Sequence, residues 1–211
     1  MIQPIATLLL DADGVTQHNP NFASGMEHLF GDRATLTEIL RLEPPSLDGT
    51  ADLRTVITLF VADKGLDVDP DAVLAVWHET HTLPGVFDLL DEVRRRGVRV
   101  YLATNQQPRR GERMIAEKGY ELHTDGAFYS YQMGVAKPDP RFFRIILDEL
   151  GCEPRATLFI DDVAENVETA RALGIEAVLF DRDSGTTGLR AVDYFLSDIY
   201  CSPWDMGARG F

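Results

Sequence analysis

Polar residues capable of chemistry stand in this sequence where apolar runs stop. Leu8-Leu9-Leu10 runs into Asp11-Ala12-Asp13-Gly14, Val98 to Ala103 runs into Thr104-Asn105, and Thr157 to Ile160 runs into Asp161-Asp162. Lys137 stands just before Pro138-Asp139-Pro140. Carboxylates held close together repel one another, and a divalent cation relieves the repulsion. Mg²⁺ takes one or two protein carboxylates and leaves its other positions to water and phosphate oxygens. A phosphate beside it can be hydrogen-bonded by Thr104 and nearby backbone N–H groups, and neutralised by Lys137. With the phosphate charge screened, a carboxylate can attack phosphorus and form an aspartyl-phosphate. A second carboxylate can give a proton to the leaving group and later take one from water. On this reading Asp11 is the nucleophile and Asp13 its proton-transfer partner. Taken alone, Asp11-Ala12-Asp13-Gly14 is equally an acidic turn at a strand end, so the rest of the chain must decide.

These residues meet only if the strands before them lie side by side. Ile5 to Leu10 is apolar nearly throughout, which predicts a strand buried on both faces, as in a parallel sheet. Strands are expected at 98–103, 127–129, 157–160 and 177–180, with helices between them. Val86, Leu89, Leu90 and Val93 make one helical face, and a helix over 108–118 closes at Gly119. Asp139-Pro140 caps a helix carrying Phe142, Phe143, Ile145, Ile146 and Leu150, closed by Gly151. Val163, Val167, Ala170 and Leu173 form the inward face of the next helix, which stops at Gly174. Strands alternating with helices imply an α/β fold with a Rossmann-like, doubly wound parallel sheet. Its strand ends then line one crevice. Residues 17–83 differ, with helical spacing, no convincing strand and a break at Pro44-Pro45. Phe22, Met26, Leu29 and Phe30 share one face, as do Leu53, Val56, Ile57 and Phe60, and Asp69-Pro70 opens a helix through Val73, Val76, Trp77 and Thr80. The expected organisation is a core of residues 1–16 and 84–211, with 17–83 as a small insertion of three or four helices. Residues 182–188 read as a loop, 189–196 as a short helix or strand, and 206–211 as a fraying end.

The 211 residues carry 34 acidic against 20 basic side chains, a net charge of −14. That opposes a broad basic face for nucleic acid. No apolar run is long enough for a membrane span, and the first residues lack the basic start of a signal peptide. Cys152 and Cys201 form no metal or redox motif. The simplest expectation is a cytoplasmic protein, a monomer or homodimer, with no nucleic-acid or membrane partner.

The set Asp11-Ala12-Asp13-Gly14-Val15, Ala103-Thr104-Asn105, Lys137 within 134–140, and Asp161-Asp162 within 159–166 resembles the haloacid dehalogenase superfamily of phosphohydrolases. The match runs in order over residues 5–180, and the helical insertion looks like that superfamily's type 1 cap. The resemblance implies Asp11 as nucleophile and Mg²⁺ ligand. It implies Asp13 as general acid/base, offering the metal its backbone carbonyl. Thr104 would bind the phosphoryl group with help from the Asn105 amide, and Lys137 would stabilise charge between nucleophile and phosphate. Asp162 would be a direct metal ligand, with Asp161 binding directly or through water, and Asn166 would stand behind them to orient Lys137 or Asp161.

The function this implies is a Mg²⁺-dependent phosphatase of a small phosphorylated metabolite. The alternatives are a sugar phosphomutase of the β-phosphoglucomutase kind, a 2-haloacid dehalogenase, which Asp13 argues against, and a non-enzymatic binding module. His18 and Asn19, just past the first motif, are candidates for the substrate entrance. His78 and His81 read as packing or surface groups. Arg94-Arg95-Arg96 reads as a solvated helix end, and Gln106, Gln107, Arg109 and Arg110 as a solvated first helical turn.

Overall fold

A computed structural model describes residues 4–31, 33–184 and 189. The expectations for 185–188, 190–196 and 206–211 lie outside the described residues, as does Cys201.

The chain begins with β1 (Thr7–Leu10), β2 (Gln17–His18) and five helices: α1 (Phe22–Phe30), α2 (Arg33–Leu40), α3 (Pro44–Leu47), α4 (Leu53–Asp63) and α5 (Pro70–His78). It returns through β3 (His81–Thr82) to α6 (Val86–Arg95), β4 (Arg99–Thr104), α7 (Pro108–Glu117), α8 (Tyr120–His123), β5 (Gly126–Tyr129) and α9 (Ser130–Met133). Then come α10 (Pro140–Leu150), β6 (Thr157–Asp161), α11 (Ala164–Ala172) and β7 (Glu176–Leu179). The main sheet has the order β5-β4-β1-β6-β7, parallel throughout. The central strand β1 is flanked by β4 and β6, with Leu10 opposite both Leu102 and Ile160. Strand order reverses at β1, which is where a doubly wound sheet opens its crevice.

The apolar runs explain the layers. Side chains alternate across a strand, so Leu8, Leu10, Val100, Leu102, Leu158 and Ile160 face one side, packing against Val86, Leu90 and Val93 of α6. Leu9, Tyr101, Ala103 and Phe159 face the other, against Phe142, Phe143 and Ile146 of α10 and Val167 and Ala170 of α11. Both faces are covered, so neither strand face needs polar residues. Asp69 and Asp139 cap α5 and α10 by accepting from the N–H groups of Asp71 and Arg141, each with Pro at the helix start.

Residues 22–77 build a separate apolar cluster around Met26, Phe30, Ile57, Phe60, Leu74 and Trp77. Two expectations are corrected in this region. Among the described residues it holds five helices rather than three or four, because Pro44 opens the one-turn α3 instead of only breaking the chain. It is also not free of strands: Gln17–His18 pairs antiparallel with His81–Thr82, two residues a side, too short to leave a periodic signature. Outside it, Val163 is not inward-facing but the exposed residue before α11, 41% accessible.

Candidate active site

The buried end of β1 delivers Asp11 next to β6, where its backbone N–H donates to the Ile160 carbonyl at 2.9 Å. The chain then turns tightly. The Ala12 carbonyl accepts from the N–H groups of Thr16 and Gln17, each at 2.9 Å, and Gly14 donates to the Gln17 carbonyl at 2.7 Å. Gly14 has φ +85°, a conformation that favours glycine, and a Cβ there would strike the Asp162 carboxylate. The glycine thus lets the first turn lie directly against the end of β6.

Lys137 joins the strand ends. Its Nζ lies 2.9 Å from Asp11 Oδ1 and donates to Asp161 Oδ2 at 2.6 Å. Its backbone is clamped from the other side. Asn105 Nδ2 donates to the Lys137 carbonyl at 2.8 Å, and the Lys137 N–H donates to Asn105 Oδ1 at 2.9 Å. Burial pulls the Lys137 ammonium down, but Asp11 and Asp161 outweigh it and hold it charged above its ordinary value. Burial pushes Asp11 up to about 7, against the pull of Lys137 and with the help of Asp161 and Asp13.

Asp161 is fully buried and already engaged. Beyond Lys137, it accepts from Asn166 Nδ2 at 3.0 and 3.1 Å and from the Val163 N–H at 2.8 Å. Asn166 therefore touches Asp161 and, through it, steadies Lys137. Asp162 is freer. Its Oδ2 pairs with Arg182, while burial raises its carboxyl above the ordinary value. Oxygens of Asp11, Asp161 and Asp162 lie within 4.8 Å of one another. Asp162 Oδ1 is buried without a hydrogen-bond partner, and Asp11 Oδ1 meets the Lys137 ammonium. A buried carboxylate oxygen left unsatisfied, beside two further carboxylates, fits a hard divalent cation such as Mg²⁺.

Asp13 leaves the same turn into different surroundings. Its Oδ1 accepts from Gln17 Nε2 at 2.9 Å and Arg110 Nη2 at 2.6 Å, and its Oδ2 from Gln106 Nε2 at 2.7 Å. Thr104 is fully buried, its hydroxyl accepting from Gln106 Nε2 at 3.1 Å. The expectation of a solvated turn at 106–110 is corrected here. Gln106 and Gln107 are each 1% exposed, and Arg110 is spent on Asp13, whereas Arg109 does face solvent in an ion pair with Asp52. The available signal was proximity: Gln106 lies two residues beyond Thr104, and Arg110 sits on the first turn of the helix that follows. Gln107 meets His78 at 3.2 Å, and burial beside Arg113 and Arg110 pushes His78 down to about 4.

Asp11, Asp13, Asn105, Lys137, Asp162 and Asn166 open onto one cavity of about 550 Å³, with Thr104 and Asp161 buried behind them. His18 and Asn19 line it as well. Its opposite wall is helical: Phe22, Leu40, Glu43, Leu47 and Trp77. Glu43 was not singled out in the sequence. Burial pushes its carboxyl up to about 7 although Arg110 pulls it down, and Trp77 Nε1–H donates to its Oε1 at 2.9 Å.

Over 105 residues, 49% of this chain, the sequence is 38% identical to a phosphatase of Mycobacterium tuberculosis and covers 48% of that protein. It is 35% identical over 105 residues to the phosphoserine phosphatase of Thermus thermophilus and covers 40% of it. The chain thus spans half or less of the length of these curated relatives. Among solved structures, the HAD family enzyme bt-2542 of Bacteroides thetaiotaomicron superposes with a TM-score of 0.72 at 22% identity, covering 85% of this chain and 95% of that one. The L-2-haloacid dehalogenase of Xanthobacter autotrophicus superposes with a TM-score of 0.63 at 19% identity, covering 82% of this chain and 76% of that one. At such identities the likeness is one of fold. A family model described as haloacid dehalogenase-like hydrolase matches residues 5–174, from the first strand to the end of α11 and its stop, and the chain belongs to that hydrolase family.

Proposed function

We propose that this protein is a Mg²⁺-dependent phosphatase acting on a small phosphorylated metabolite through an aspartyl-phosphate at Asp11. One observation carries the reading. Two carboxylates leave one strand end into opposite environments: Asp11 beside Lys137 and two further acids, Asp13 among Gln17, Gln106 and Arg110. Paired carboxylates with separated surroundings take separate roles. The M. tuberculosis and T. thermophilus relatives are phosphatases by name, and bt-2542 has been crystallised with magnesium and inorganic phosphate.

In this mechanism Asp11, Asp162 and the Asp13 carbonyl would hold the metal, with Asp161 behind them fixing Lys137. When bound, Mg²⁺ neutralises carboxylate and phosphate charge and so lets two anions approach. Lys137 offsets charge between Asp11 and the phosphoryl oxygens, while Thr104 and the Asn105 N–H contact those oxygens. An Asp11 oxygen bonds to phosphorus as the ester oxygen leaves, taking a proton from Asp13. Water then attacks phosphorus, gives its proton to Asp13, and the Asp11–phosphorus bond breaks. Residues 1–16 and 84–211 act as the catalytic core. Residues 17–83 act as a cap, pivoting on the β2–β3 ribbon to exclude bulk water during transfer.

The test is phosphate release from a panel of phosphorylated metabolites by the purified protein. Release that requires Mg²⁺ and disappears in Asp11→Asn supports the proposal. Metal-independent chloride release from a 2-haloacid, with no phosphate release, overturns it.

A further inference from the structure

The cavity wall opposite Asp11 carries a carboxylate that the phosphoryl chemistry does not use. Glu43 precedes α3 and is pinned by Trp77 Nε1–H at 2.9 Å. Trp77 is itself 2% exposed and packs edge-on against Phe22 at 5.3 Å, so the carboxylate is set in a rigid aromatic wall. No cation stands within ion-pair distance of Glu43 among the described residues. Arg110, the guanidinium that acts on it electrostatically, is committed to Asp13 at 2.6 Å.

We propose that Glu43 is the recognition group for the leaving alcohol, and that this alcohol carries a protonated amine. The inference rests on the phosphatase reading and names the substrate class of that same site. An enclosed carboxylate without a counter-charge is unfavourable, and a ligand that brings the missing cation removes the penalty. Burial, which lifts Glu43 to about 7, is the mark of that unmet need. The charge balance of the cleft points the same way. Asp11, Asp13, Asp161, Asp162 and Glu43 face Lys137, Arg110 and Arg182. A divalent cation would balance that set, and a phosphate dianion then leaves negative charge in excess. An ammonium on the leaving group offsets part of it at Glu43, which has a hydrogen bond from Trp77 and no ion pair among the described residues. Phe22 and Trp77 line the cavity beside Glu43.

Three esters of matched size separate the possibilities: 2-aminoethyl phosphate, 2-hydroxyethyl phosphate and propyl phosphate, each with Mg²⁺. The expected result is a kcat/KM for the aminoethyl ester at least about tenfold above both others, a discrimination typical of a site built around one polar group. In Glu43→Gln, whose amide oxygen still accepts from Trp77, the aminoethyl and hydroxyethyl esters should differ by less than about twofold. A melting profile checks that this variant folds. A hydroxyethyl or propyl ester that equals the aminoethyl one, or a preference that survives Glu43→Gln, overturns the proposal. Should none of the three be hydrolysed, the phosphatase reading rests on the wider panel above. Calorimetric binding of the same three compounds to the Mg²⁺-loaded protein and to Glu43→Gln then decides the Glu43 subsite by the same ratios.

Discussion

Lys137 is held at both ends, its ammonium between Asp11 and Asp161 and its backbone by the Asn105 amide. The sequence pointed to Asn105 through its backbone N–H. The structure adds a side-chain role, because a side-chain amide offers a donor and an acceptor to the C=O and N–H of one residue. Asn105→Ala should therefore lower kcat by about 10- to 100-fold, since small misplacements of a catalytic group carry costs of that size. Steady-state kinetics and an unchanged melting temperature check it. Asp13→Asn should lower kcat/KM for alkyl phosphates far more than for p-nitrophenyl phosphate, whose leaving group needs no proton; an equal loss of kcat/KM on both would remove Asp13 from the role of proton donor to the leaving group. Glu43 yields a prediction with a sign. Its folded value of about 7 lies above its ordinary 4.5, so folding favours the protonated form. That contribution is full below pH 4.5 and lost as pH rises through about 7. Glu43→Gln should gain on the wild type by on the order of 1–3 kcal/mol between pH 5 and pH 8, read from thermal melts at the two values.

At the scale of elements, the strand ends were legible because β1, β4 and β6 are apolar on both faces and each stops at a polar group. A buried parallel strand has few other ways to look. The Asp-Pro starts of α5 and α10 were legible for the same kind of reason, a cap and a preset first residue. The β2–β3 ribbon was not, because two residues carry no period. Gln106 and Arg110 were missed because a polar side chain opening a helix looks the same in sequence whether it meets water or folds back onto Asp13. The turn after β1 now carries its own prediction. Gly14→Ala would place a methyl group against the Asp162 carboxylate in a backbone conformation that alanine resists. It should weaken Mg²⁺ affinity by about tenfold or more, with the far-ultraviolet circular dichroism of the sheet unchanged.

At the scale of the molecule, one apolar cluster belongs to the helices of residues 22–77 and two to the faces of the sheet, with the cavity between them. Among the described residues no helix is long and apolar enough to cross a membrane. The fold class could be read from alternation alone, whereas the cavity could not, since its far wall comes from helices whose sequence carries no motif. If Asp11, Asp161 and Asp162 hold Mg²⁺ as proposed, binding relieves their mutual repulsion and stabilises the fold. Mg²⁺ at a hundred times its Kd should add about 2.7 kcal/mol to unfolding. The gain should shrink in Asp162→Asn, as thermal melts with and without chelator would show. The most direct test of the central claim is to trap the nucleophile. The protein is mixed with Mg²⁺ and a phosphoester it turns over, quenched, and treated with borohydride, which reduces an acyl-phosphate to an alcohol. The account predicts reduction at Asp11 alone, requiring both metal and ester. Steady phosphate release with Asp11 unmodified, or reduction at another carboxylate, would contradict it.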